Sequence, residues 1–204
     1  MRLTIVVAAT LATVAAQDAA RGGGRGAGPP APIKISIPAF PDGGAIPAKF
    51  AYTQTGNLSP AIQWSGVPSA AVTIALILND ADVPSRLVGS TSVGAGPEDT
   101  LHWAIFNIPA TAAGLPEGVP HNTTLEDGSV QWKYVDGVPR LAIGTIGYFG
   151  PSPPPGPPAV HHYIFDLYAL DVKLDPGVNS RADLMKAMAG HVLARGAYFG
   201  VYSR

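Results

Sequence analysis

Val72-Thr73-Ile74-Ala75-Leu76-Ile77-Leu78 runs directly into Asn79-Asp80-Ala81-Asp82-Val83-Pro84-Ser85-Arg86. The first seven residues are apolar at odd and even positions alike. A strand with one wet face would alternate, so this stretch predicts a central strand covered on both sides. Two further runs share its character. His102-Trp103-Ala104-Ile105-Phe106-Asn107-Ile108 is stopped by Pro109, and Tyr163-Ile164-Phe165-Asp166-Leu167-Tyr168-Ala169-Leu170 is dense in aromatic and β-branched residues. Lys34–Ile37 alternates polar and apolar side chains and reads as another strand. Gly and Pro clusters separate these runs.

One helix is expected. Ser180 is an N-cap, and Asp183 stands three residues later in the capping-box position. Leu184, Met188 and Val192 then recur every four residues and predict a buried stripe, with Gly196 closing the helix. His191 falls beside that stripe as a packed or capping residue. Tyr198–Tyr202 returns as a short final strand. The fold class is therefore mainly β with a C-terminal helix.

Composition narrows the function classes. The 204 residues include 24 Gly and 21 Pro, too many for a coiled coil or helical bundle. Thirteen basic and 14 acidic residues give a net charge of -1, which excludes a surface built to coat nucleic acid. Apolar residues make up 47%, enough to fold. With no cysteine, disulfides, zinc-thiolate sites and cysteine nucleophiles are impossible.

Three segments are expected. Residues 1–16 read as a signal peptide: Arg2 precedes an uncharged run from Thr4 to Ala16, and Val14-Ala15-Ala16 offers a small-residue cleavage site. That run is shorter than the roughly 20 residues a membrane span needs, so no stable insertion is expected after cleavage. Residues 17–32 read as a flexible Gly/Pro/Arg linker. Residues 33–204 form one domain, exported to a periplasm or beyond. The Gly/Pro excess belongs mostly to that domain, because only eight of those residues lie in 1–32.

Three polar clusters sit where strands begin or end: Asp80-Ala81-Asp82, His102, and Pro153-Pro154-Pro155-Gly156 leading to His161-His162-Tyr163. Loops at the ends of a rigid sheet commonly carry sites. In an extended chain His161 and His162 point to opposite faces, so only one of them can join a shared pocket. Trp64 and Trp132 read as packing residues. Asn57-Leu58-Ser59 and Asn122-Thr123-Thr124 match glycosylation sequons but read as loops.

In their order and spacing, these clusters resemble the phosphatidylethanolamine-binding proteins, in particular the bacterial YbhB/YbcL or Raf-kinase-inhibitor-like type. The resemblance runs from about Phe50 to Arg204. It is carried by Asn57-Leu58-Ser59-Pro60 with Trp64-Ser65-Gly66-Val67-Pro68, by Asp80 to Pro84, and by His102-Trp103 with Asn107-Ile108-Pro109. Gly147-Tyr148 to Gly156 with His161-His162-Tyr163 continues it, and Gly190 to Ala194 with Tyr202-Ser203-Arg204 completes it. The resemblance implies a β-sandwich-like fold with a large antiparallel sheet, and a small anion pocket at one end. Carried over position by position, it implies a pocket of Asp80, Pro84, His102, Pro153, Pro154, His161 and Tyr163. No cofactor and no resident metal are implied. Four positions depart from the pattern: Ala81 stands for Pro, Val83 for Ala, Ser152 for Cys and His162 for Arg. The stretch Leu87–Thr100 is also longer than in many bacterial relatives, and reads as a Gly/Ser-rich lip.

Three functions fit these residues. Two imidazoles beside a carboxylate suit a non-enzymatic binder of small anions or phospholipid head groups, with binding expected to weaken as pH rises. Family members modulate kinases or inhibit serine proteases, so a protein partner is the alternative, contacted by the Leu87–Thr100 lip and the Pro151–Pro158 loop. A hydrolase using His102, His161 and Asp80 as acid/base groups or metal ligands is the third. Against it, Gly-x-Ser-x-Gly and His-Glu-x-x-His are both absent, and Ser90-Thr91-Ser92-Val93-Gly94 only approaches the former.

Overall fold

The computed structural model describes residues 30–53, 56–84, 99–132, 146–153 and 160–204, without the side chains of residues 83 and 84. The signal and linker assignments fall on residues outside this set, apart from 30–32. Pro154 and most of the 87–100 lip also lie outside it.

Nine strands, one α-helix and a single 3-10 turn (Ala48–Phe50) are found among the described residues: β1 (Lys34–Ser36), β2 (Gly44–Ala45), β3 (Ile62–Ser65), β4 (Thr73–Pro84), β5 (Asp99–Pro109), β6 (Gly114–Leu115), β7 (Val130–Gln131), β8 (Val160–Leu170), α1 (Arg181–Met188) and β9 (Val192–Ser203). A six-stranded sheet has the order β2-β9-β8-β4-β5-β7, and a three-stranded sheet has the order β1-β3-β6. The large sheet is antiparallel except where β2 runs parallel to β9.

The both-face apolarity of the 72–78 run has the expected consequence. β4 lies between β5 and β8 in the middle of the large sheet. Its Ile74, Leu76 and Leu78 enter the core between the two sheets, together with Ile62 and Trp64 of β3. Its Ala75 and Ile77 face the other way, into a second core capped by Leu184 and Met188 of α1. Fully burying one such aliphatic side chain contributes about 1.5–3 kcal/mol, so both faces of β4 are held. Trp64 and Trp132 pack in these two cores, each donating its ring N–H to a backbone carbonyl, of Ala112 and Val178 respectively.

The helix begins as expected and ends early. Ser180 Oγ accepts from the Asp183 amide at 3.1 Å and donates to Asp183 Oδ2 at 2.6 Å. The helix stops at Met188, however, and Gly190 turns the chain with φ +83°. Val192 is therefore the first, exposed residue of β9, and Gly196 sits mid-strand where a Cβ would collide with the Ile33 carbonyl. His191 is a surface residue beyond the helix, its Nδ1 2.8 Å from Asp171. Pairing with the whole of β8 decides this competition: β9 gains a ladder from Ser203 to Val192, with one irregularity at Ala169/Leu170, that two more helical turns would forgo.

The strands carrying the polar clusters are also longer than their apolar runs. β4 continues through Asp80 to Pro84, while β5 starts at Asp99 and β8 at Val160. Asp80, His102 and His161 are thus strand residues rather than loop residues. No helix among the described residues is long and apolar enough to cross a membrane.

Candidate functional site

Antiparallel pairing brings the end of β4 alongside the beginnings of β5 and β8. Asp80 pairs with Tyr163 on one side and Thr100 on the other. On β8, odd-numbered residues Tyr163, Phe165 and Leu167 enter the inner core, so His161 also faces inward. His162 faces away, as the alternation predicted. Its Nδ1 and backbone N–H both meet Asp82 Oδ2, at 2.8 and 2.5 Å.

His102 reaches the same face through an irregularity in the ladder. Leu78 pairs with Trp103 but Asn79 pairs with Leu101, so His102 is an extra residue on β5. A bulge of this kind lets two consecutive side chains serve one face. Trp103 enters the inner core, and the His102 ring lies edge-on to Tyr163 with centroids 5.1 Å apart.

Asp80, His102, His161 and Tyr163 are brought together and are almost fully buried, the most exposed being His161 at 7%. Asp80 Oδ1 accepts the Asp82 amide at 3.0 Å. Asp80 Oδ2 lies 2.7 Å from His161 Nδ1 and 3.9 Å from His102 Nε2. The first distance is a hydrogen bond and the second is not. Pro153 is buried at the end of the segment covering the site. Pro84 ends β4, and its side chain is not among the described groups; Pro154 lies outside the described residues. Among the described residues no group of three or more His, Cys, Asp or Glu is arranged to hold a metal ion.

Backbone partners fix the tautomer of His102. Its Nδ1 lies 2.9 Å from the Phe149 carbonyl, and the Phe149 amide donates to the His102 carbonyl at 2.9 Å. A carbonyl only accepts, so Nδ1 carries the hydrogen, and in the neutral ring Nε2 is an acceptor. Burial lowers the pKa of His102. The Phe149 carbonyl and the Asp80 charge work in the opposite direction without overcoming that. Burial also raises the pKa of the Tyr163 hydroxyl, reinforced by Asp80, so it keeps its proton. The Asp80 carboxylate and Ser152 backbone lie close enough to influence this hydroxyl, yet neither completes a hydrogen bond with it. At the surface, burial pushes Asp82 up, but the hydrogen bonds from His162 and the charges of His162 and His161 outweigh that and hold it below the usual carboxylate value.

Local sequence assigns Asn57 no role in the site beyond a signature residue and a weak sequon. In the fold its side-chain amide clamps the segment around Phe149. Nδ2 donates to the Tyr148 carbonyl, and Oδ1 accepts the Gly150 amide at 2.8 Å. Both neighbours of the residue that sets the His102 tautomer are thereby fixed. Tyr52 packs at a tilt against Phe149 with centroids 4.5 Å apart, and Tyr148 packs edge-on against Trp103. The hydrogen bonds join residues 91 and 93 positions apart, so no local pattern announces them. The anchoring role of Asp82 escapes a local reading for the same reason.

Comparison with known proteins places the chain in a family. The profile described as phosphatidylethanolamine-binding protein matches residues 36–203. The UPF0098 protein of Methanothermobacter thermautotrophicus is 46% identical over 175 residues, covering 84% of this chain and 99% of the relative. That of Chlamydia muridarum is 34% identical, with 84% and 99% covered. Among solved structures, a putative phosphatidylethanolamine-binding protein homologue from Chlamydia trachomatis superposes with a TM-score of 0.66 at 30% identity, covering 85% of this chain and 98% of that one. Escherichia coli YbcL, described as a member of the mammalian family, gives 0.67 at 26% identity, with 85% and 99% covered. From Ser36 to Ser203 this chain therefore belongs to the phosphatidylethanolamine-binding protein family.

Proposed function

We propose that this chain is an exported, non-enzymatic binding protein for a small oxyanion of the phosphate type, held by Asp80, His102, His161 and Tyr163. One observation carries the reading. Two imidazoles flank a single buried carboxylate, each with its Nδ1 engaged, and beside them lies a buried Tyr163 hydroxyl that has no hydrogen-bond partner among the described residues. Buried polar groups are nearly always satisfied, so a hydroxyl without a partner among the described residues, on a ring beside those of His102 and His161, supports a place for a ligand acceptor. When His161 carries a proton on Nε2, its ring bridges Asp80 and a bound anion, and the Asp80 charge balances the imidazolium. Tyr163 supplies a neutral donor.

A binder needs no nucleophile, and burial holds the Tyr163 hydroxyl in its protonated form. Residues 1–16 direct export and residues 17–32 tether the domain, giving a periplasmic or secreted protein. N-terminal sequencing of protein recovered from the producing cells tests that part; an intact Met1 refutes it.

Calorimetric titration with inorganic phosphate and with phosphoethanolamine tests the site. His161→Ala removes one charge-assisted hydrogen bond, worth about 1.5–3 kcal/mol, and should weaken binding roughly 10- to 150-fold. Equal affinity in wild type and variant removes His161 from the site.

A further inference from the structure

The proton inventory of these residues decides which oxyanion fits. His102 must carry its hydrogen on Nδ1, because that nitrogen faces the Phe149 carbonyl at 2.9 Å. Its Nε2, 3.9 Å from Asp80 Oδ2, then carries a lone pair and no hydrogen. Two acceptors stand side by side, too far apart to share a hydrogen. Neither is free to turn. The ring is held between Phe149 and Tyr163, with centroids 5.2 and 5.1 Å away, and the carboxylate is fixed by the Asp82 amide and His161. A carboxylate has about four lone-pair sites, and those two partners use two of them.

We propose that this site selects an oxyanion that brings its own proton, a phosphate or phosphomonoester whose P–O–H donates to the Asp80 carboxylate or His102 Nε2 while its other oxygens accept from Tyr163 and His161. The inference rests on the anion-binding reading above and sharpens it. Sulfate has the same shape but no proton at neutral pH, so its oxygens would meet the two acceptors lone pair to lone pair. A phosphodiester, the chemistry of an intact phospholipid, likewise lacks the proton. The groups facing His102 are Asp80 from β4, His161 and Tyr163 from β8, and the Phe149 and Gly150 backbone of the covering segment. Burial favours its neutral form, which keeps the acceptor in place.

A site built around a ligand hydrogen rejects the analogue lacking it by large factors, because its own buried groups are then left unpaired. The test is calorimetry on the full-length protein at about pH 6, where a phosphomonoester is still half protonated. Four probes are used: inorganic phosphate, phosphoethanolamine, sulfate and dimethyl phosphate. Phosphate and phosphoethanolamine should bind about 100-fold more tightly than sulfate and dimethyl phosphate. A preference below about tenfold overturns the inference and leaves the anion-binding reading standing. Tighter binding of dimethyl phosphate than of phosphoethanolamine also overturns it, and points to an intact lipid head group. Failure of all four probes overturns both. Asp80→Asn gives an independent readout. Its amide offers a donor where the carboxylate offered only acceptors, so sulfate should bind at least as well as to wild type and the phosphate preference should collapse. An unchanged preference in folded Asp80→Asn protein refutes the role given to Asp80.

Discussion

Replacing Asn57 by Ala tests whether a residue outside the ligand set holds the site in order. The substitution deletes the amide that spans Tyr148 and Gly150 and leaves the Tyr148 carbonyl and the Gly150 amide without those partners. Each such hydrogen bond contributes about 0.5–1.5 kcal/mol net, and a buried group left unsatisfied costs about 1–3 kcal/mol. Gly150 is buried, so the upper part of the range applies to its amide. The expected loss is about 2–4 kcal/mol, seen as a lower denaturant midpoint at unchanged slope. For a domain of this size that corresponds to a fall in Tm of roughly 4–16 °C. A second effect separates positioning from bulk stability. Phe149 sits between the two freed groups and fixes the His102 tautomer, so phosphate affinity of the folded variant should fall as well. Asn57→Asp is the companion variant. It keeps an acceptor for Gly150 but turns a carboxylate toward the Tyr148 carbonyl, and should be no more stable than the alanine variant. A loss under about 0.5 kcal/mol in Asn57→Ala, with unchanged affinity, refutes the clamp.

Leu76→Ala, in the fully buried middle of β4, should cost about 2–5 kcal/mol by chemical denaturation; a cost below about 1 kcal/mol would mean that the two-faced core is wrongly drawn. His102 has its pKa lowered from 6.5 by burial, so the unfolded chain takes up its proton first as pH falls. That site's effect is absent well above pH 6.5, and stability declines as pH drops below 6.5 toward the folded-state pKa. Denaturation of wild type and His102→Asn between about pH 7.5 and 5.5 should show a steeper acid-side loss in wild type; parallel curves would contradict a buried neutral imidazole. His162→Ala should change stability by less than about 1 kcal/mol, because its pair with Asp82 is partly solvated, and a loss above about 2 kcal/mol would show the pair to be structural.

Much of the fold is legible locally. Apolarity on both faces marks β4 as central, and the capping box marks the start of α1. The period of two along a strand is enough to separate His161 from His162. The end of the helix is not legible. Leu184, Met188 and Val192 satisfy a helical period, but Val192 belongs to a strand because β8 offers β9 a partner along its length.

Sequence alone determined the class of the protein, since alternation, caps and turn residues act between near neighbours. It also supplied the acid, the two imidazoles and the tyrosine. Only the tertiary structure decided how these groups face each other. The bulge that turns His102 inward exists only when β5 is laid against β4. The hydrogen on its Nδ1 is set by a carbonyl 47 residues away. The segment bearing that carbonyl is held by an amide 91 and 93 residues from the groups it binds. Hydrogen bonds are directional and short-ranged, so their partners are chosen by where the chain returns in space and not by spacing along it.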